Sequence, residues 1–165
     1  TKVEIEDKDN AGIIHDKLMK VGAQLILKTV DAIIDDSITL QPQDTETETL
    51  KSAPKIFKET CRINWNSKAQ EIDSFIRGLS PYPAAHTTLE RDGKAINIKI
   101  FEATPFLLEH PFPNGATLQP QPSQLDIAVE DGFIRIEELQ VQGRKRMKIV
   151  DFLNGFKIQE TDIFK

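Results

Sequence analysis

The sequence holds one cysteine, one tryptophan and three histidines, and each scarcity narrows its chemistry. Cys61 cannot close an internal disulfide, which fits a reducing compartment; beside Arg62 in a strand-like stretch it reads as a structural thiol. His15, His86 and His110 are widely separated, and none has a second ligand at metal-binding spacing, so no metal site is expected. His15 falls in a helical pattern and reads as a helix-face residue. No apolar run approaches the roughly 18 residues that a membrane span requires, and no leader peptide is legible at the start. A glycine-rich phosphate loop, GxSxG, HExxH and paired-cysteine motifs are all missing. Asp35-Asp36, Asp73 and Glu137-Glu138 lack visible partners and read as solvated surface. No catalytic residue is assigned within the chain. It opens on Thr1 rather than Met, which fits a processed chain and a piece of a longer protein equally well.

What is present is globular material. Hydrophobic residues make up 39% and charged residues 28% of 165, enough to bury a core in one or two domains. The net charge of -5 is unevenly spread. Residues 1–50 carry 11 acids and 5 bases, a balance of -6, whereas residues 51–165 carry 15 acids and 16 bases, a balance of +1. The acidity is confined to the beginning, and the remainder leaves nucleic acid open as a partner.

Val3 to Glu6 alternates like a short strand, and Asp7 to Asn10 supplies turn and cap chemistry. Ile14, Leu18, Val21 and Leu25 form the stripe of an amphipathic helix that runs to about Ile34, with Gly22 marking a kink or a break into two helices. That stripe is expected to lack a cover and to favour self-association. Residues 41–54, QPQDTETETLKSAP, read as an exposed linker, the expected site of first proteolysis. Arg62 to Trp65 is strand-like, and Ser67 to Gln70 matches a capping box. Ala69, Ile72, Phe75, Ile76 and Leu79 then make one apolar helix face, stopped by Gly78 and SPYP.

The following stretch reads as β-structure. Asp92-Gly93 joins Thr87–Arg91 to Ala95–Glu102 in a hairpin, with Ile96, Ile98 and Ile100 on one face and Asn97 and Lys99 on the other. A proline-rich loop from Thr104 to Pro122 follows, and Asp131-Gly132 is expected to turn Leu125–Val129 into Phe133–Leu139. Three or four short strands fit between Gly115 and Lys148, then a short helix over Ile149–Asn154, then a frayed tail. The expected fold is α+β: a small open OB-like β-barrel with an embedded helix, preceded by a short strand and helices. Residues 1–40, 41–54 and 55–165 are the expected segments.

Trp65 reads as a core or interdomain anchor, with base stacking the lesser alternative. The sharpest local signal is Gly143 to Lys148, where Arg144, Lys145, Arg146 and Lys148 put four bases into five residues. Such a loop can reach phosphates, and an ordinary solvated turn fits it as well. Lys51, Lys55, Lys58 and Arg62 form a second, looser run.

Four stretches resemble, in family order, the carboxy-terminal part of the methionyl-tRNA formyltransferases. They are NAGIIHDKLMKVGAQLILKTV, INWNSKAQEIDSFIRGLSPYPAAHTTL, DGFIRIEELQVQGRKRM and DFLNG. His86 stands where that family usually has tryptophan. The resemblance implies that residues 1–40 are the closing strand and helices of a catalytic domain. Its 10-formyltetrahydrofolate pocket and catalytic asparagine, histidine and aspartate would lie before Thr1. It implies a cytoplasmic, monomeric parent acting on initiator methionyl-tRNA, with neither membrane nor DNA as partner. No cofactor site is implied within this chain, and its barrel would add tRNA-binding surface through Lys55, Lys58, Arg62, Arg144, Lys145, Arg146 and Lys148. Two alternatives are an accessory domain of another folate-dependent formyltransferase and a noncatalytic OB-like module for a protein partner. The latter predicts that residues 55–62 and the 144–148 loop face apart.

Overall fold

The computed structural model describes residues 1–42 and 52–165. The expected linker and its cleavage site, and Lys51, fall largely on residues 43–51, outside the described ones. Helix α1 spans Ala11–Ile34 and α2 Ala69–Leu79, with a 3-10 turn at Glu59–Cys61 between them. Strands β1 (Ala85–Arg91), β2 (Lys94–Leu107), β3 (Thr117–Leu118), β4 (Asp126–Val129), β5 (Gly132–Val141) and β6 (Met147–Lys148) follow. Helix α3 (Ile149–Gly155) and strand β7 (Ile163–Phe164) finish the chain. The sheet runs β3-β4-β5-β2-β1-β7, with β6 on β5 and every ladder antiparallel. An Ala116–Ile163 bridge joins its two ends, so the OB-like barrel is nearly closed.

The β1–β2 hairpin forms where Asp92-Gly93 predicts it. Arg91 pairs with Lys94, and both turn residues have positive φ, 49° and 73°, the conformation that a two-residue turn between twisted strands requires. Ile98 and Ile100 are buried with Leu89, Leu125, Ile127, Ile134, Ile136 and Leu139, and Ile72, Ile76 and Leu79 of α2 join this core. Trp65 is buried, its indole N–H donating to Thr87 Oγ1 at 2.9 Å, which makes it a core anchor rather than a stacking surface.

Several expectations are corrected. Val3–Glu6 has no partner strand among the described residues and is not a strand. Gly22 does not break α1: about 1 kcal/mol relative to alanine does not offset the hydrogen bonds of a 24-residue helix. The stripe does lack a cover among the described residues, as expected: none of the α1 residues is buried, with Leu18 and Leu25 exposed and Ile14 and Val21 half-exposed. Among the described residues the start of α1 is anchored, by Gly12 N–H to Ser80 O (3.1 Å) and Arg77 Nη1 to Asp9 O (2.9 Å). None of the described helices is long and apolar enough to cross a membrane. Arg62–Trp65 makes an isolated bridge to His86 instead of a full strand.

The cap of α2 is Lys68, not Ser67. Glu71 reaches back to the Lys68 N–H (3.4 Å), and the other cap comes from afar: the Ala69 N–H donates to the Asp131 carboxylate at 2.8 Å. Val129 pairs with Gly132, so Glu130-Asp131 is the β4–β5 turn. Gly132 serves close strand approach, since a Cβ there would come within 2.1 Å of the Phe106 carbonyl oxygen. β2 continues through Pro105 to Leu107, beyond the start of the expected loop. The tail is not frayed. Phe164 is buried edge-on against Trp65, and its N–H donates to Gly115 O at 2.8 Å. Nor are Asp73 and Glu138 solvated: Asp73 is buried against Arg77 (2.8 Å), and Glu138 pairs with Arg146. Asp35 and Asp36 are exposed.

Candidate nucleic-acid interface

An open groove of about 780 Å³ runs between the segment leading into the barrel and the outer face of the β1–β2 hairpin. Lys58 and Arg62 line one side, Lys99 lies on the β2 floor, and Gly143 borders the far end. Of the 143–148 loop only Gly143 is among the residues lining the groove, and Arg144, Lys145, Arg146 and Lys148 follow beyond it. Lys55 sits just before the groove, its ammonium 5.4 Å from the Phe57 ring centre. Among the described residues lining the groove there is no carboxylate, although the chain is net acidic.

Local sequence explains how each cation is held out. His86 Nε2–H donates to the Lys58 carbonyl (2.8 Å) and Ile63 N–H to His86 O (2.9 Å), tying the 58–63 segment to β1. His86 thus anchors a cationic segment. Cys61 is buried beneath it, its thiol 3.2 Å from Phe57 O. At the far end, Gly143 has φ 77° in a turn closed by Arg144 N–H to Val141 O (2.9 Å), a backbone state that favours glycine. Arg144 and Lys145 follow, both exposed, and neither makes a salt bridge among the described residues.

Arg146 and Lys148 differ. Arg146 pairs with Glu138 and lies 4.3 Å over the Phe101 ring; Lys148 pairs with Glu102 (2.9 Å). The hydrogen bond from Arg146 holds the Glu138 carboxyl below its ordinary pKa, and the one that Lys148 donates to Glu102 pushes the Lys148 ammonium up.

Sequence reading missed Lys99, whose Nζ donates to Pro83 O at 3.2 Å. Its outward position was legible from the alternation of β2, but not that this face floors the groove. Also missed were Phe57 and Tyr82, exposed aromatics on the groove wall. Among the described residues no cluster of His, Cys, Asp and Glu is arranged to hold a metal ion.

A methionyl-tRNA formyltransferase of Parabacteroides distasonis is 47% identical over 157 residues, covering 93% of this chain and 48% of that protein. One from Phocaeicola vulgatus is 46% identical, covering 98% of this chain and 51% of its own length. The chain thus spans about half the length of the curated relatives it matches. A crystal structure of a HypX variant from Aquifex aeolicus superposes over 93% of this chain and 27% of its own with a TM-score of 0.66; at 16% identity it shares the fold. Residues 55–157, which include strands β1 to β6 and helices α2 and α3, match the family model described as formyl transferase, C-terminal domain, and the chain belongs to that family.

Proposed function

We propose that this chain is the carboxy-terminal portion of a cytoplasmic methionyl-tRNA formyltransferase and supplies part of its tRNA-binding surface. The parent would transfer a formyl group from 10-formyltetrahydrofolate to the amino group of methionyl initiator tRNA. Formyl transfer itself is assigned to the part of the parent that this chain does not span. The observation that carries the reading is the groove along which Lys58, Arg62 and Lys99 lead to the Gly143 turn, with no carboxylate among the described residues that line it. An RNA backbone needs such an extended basic surface, and the identity to two methionyl-tRNA formyltransferases supports RNA as the polyanion. Lys55, Lys58, Arg62, Arg144 and Lys145 are the proposed phosphate contacts. Arg146 and Lys148, already in ion pairs, add positive potential and hold the loop.

Titration of the purified chain with initiator tRNA at several salt concentrations tests this. Weak binding that declines steeply with salt is expected, with no formyl transfer by the chain alone. A folded chain that ignores initiator tRNA at low salt would return the barrel to the accessory domain of another formyltransferase. Formyl transfer by the purified chain would overturn the assignment of the chemistry.

A further inference from the structure

Tyr82 is the sole tyrosine of the chain and is 84% exposed on the wall of the groove. Nothing in the core accounts for it, because its ring contributes almost no burial. The backbone on either side is pinned. Ser80 and Ala84 are buried, Ala84 N–H donates to Leu79 O (2.9 Å), and Ser80 O accepts from Gly12 N–H (3.1 Å). Pro81 lies so close to Gly12 that a Cβ there would come within 2.6 Å of the proline ring, and Lys99 holds the Pro83 carbonyl. An exposed ring on an anchored turn loses little freedom when a flat partner covers it. Phe57, 54% exposed, offers a second ring on the same groove, and Lys58, Arg62 and Lys99 surround the pair with positive charge.

Aromatic faces interleaved with cations, with no carboxylate among the described lining residues, are what unpaired nucleotides require: the rings take bases, the cations take phosphates. We infer that Tyr82 stacks on an unpaired base and that the groove accepts a single-stranded stretch of RNA. The inference rests on the RNA-binding reading above and adds base stacking to it. A duplex, with its bases covered, would use the cations and leave the ring bare.

Because Tyr82 is the sole tyrosine, 3-fluorotyrosine labelling yields one fluorine resonance that reports this ring alone. The probes are a single-stranded RNA of about eight nucleotides, within the span of one OB-like site, a blunt duplex of the same sequence, and initiator tRNA. The single strand should shift the resonance upfield, and the duplex should not. Tyr82→Ala should weaken single-strand binding about 5- to 150-fold, the range expected for one lost base–ring stack. Tyr82→Phe should retain binding, and duplex affinity should be unchanged in both variants. Thermal unfolding of the variants separates loss of stacking from loss of fold. An unmoved resonance and undiminished Tyr82→Ala binding, with tRNA still bound, overturn the stacking role and leave the phosphate reading standing. Failure of the unaltered chain to bind any of the three RNAs overturns both. A resonance that answers a poly-glutamate peptide more strongly than RNA also overturns the stacking role.

Discussion

Glu102 stands opposite Glu138 across the β2–β5 ladder, beside an irregularity in the register at Phe101. Two carboxylates so placed repel. Lys148 answers both, with Nζ 2.9 Å from Glu102 and 3.8 Å from Glu138, while Arg146 pairs with Glu138 and covers Phe101. Two of the four cations in the basic loop therefore already have carboxylate partners on the barrel.

This division predicts unequal effects on RNA binding. Arg144→Gln with Lys145→Gln should lower the log–log salt slope by about 1 unit per residue. Arg146→Gln with Lys148→Gln should change the slope less, and Arg146→Gln should cost about 1 kcal/mol of stability through its ion pair and ring contact. Tract-wide salt titrations with urea unfolding on the same proteins check both; equal slope changes for the two pairs would refute the division.

Asp131 caps α2 across 62 residues of sequence. Asp131→Ala should destabilise the chain by about 1 kcal/mol, within the usual range for a lost helix cap, and Asp131→Asn by less. Urea midpoints decide it. An unchanged midpoint for the alanine variant would mean that water replaces the carboxylate without cost.

Asp162 is fully buried beside Arg91, whose Nε donates to it at 2.7 Å, and the Gln159 N–H donates at 2.9 Å. Burial pushes its carboxyl up, but the Arg91 and Gln159 hydrogen bonds and the Arg91 charge outweigh this and leave it below its ordinary value. Its folded value thus lies under an unfolded value of about 4, so its contribution is complete above about pH 4 and is lost as pH falls through the folded value. Asp162→Asn should lower stability at neutral pH and flatten the decline below about pH 4. Asp9 and Glu138, also depressed, preserve part of that decline. Unfolding midpoints measured down the acid range would show whether the variant keeps the original slope, which would exclude Asp162 as its source.

Phe164 closes the barrel from the last few residues. Phe164→Ala should cost about 3 to 5 kcal/mol, the range for a deleted buried ring, and should red-shift the emission of Trp65 as solvent reaches it. A tail that merely frayed would leave both stability and emission untouched.

The elements legible in the sequence were those written in short-range chemistry. The Asp92-Gly93 hairpin, the Ile72–Ile76–Leu79 face of α2 and the basic Gly143–Lys148 loop each depend on neighbours within a turn or a strand. Local rules misassigned Gly132, because glycine answers a close strand contact as readily as a turn. They also missed β7, since the two residues Ile163–Phe164 are too few to display alternation. Tertiary structure alone decided the Asp131 cap, the Thr87 hydroxyl bond to Lys165 O across 78 residues, and the facing of Glu102 and Glu138. It also decided that Lys58, Arg62, Lys99 and Tyr82 share a groove with Gly143. Periodicity states which face of an element is apolar, whereas the partner that covers a polar group is selected by barrel closure, which brings together residues that no local pattern connects.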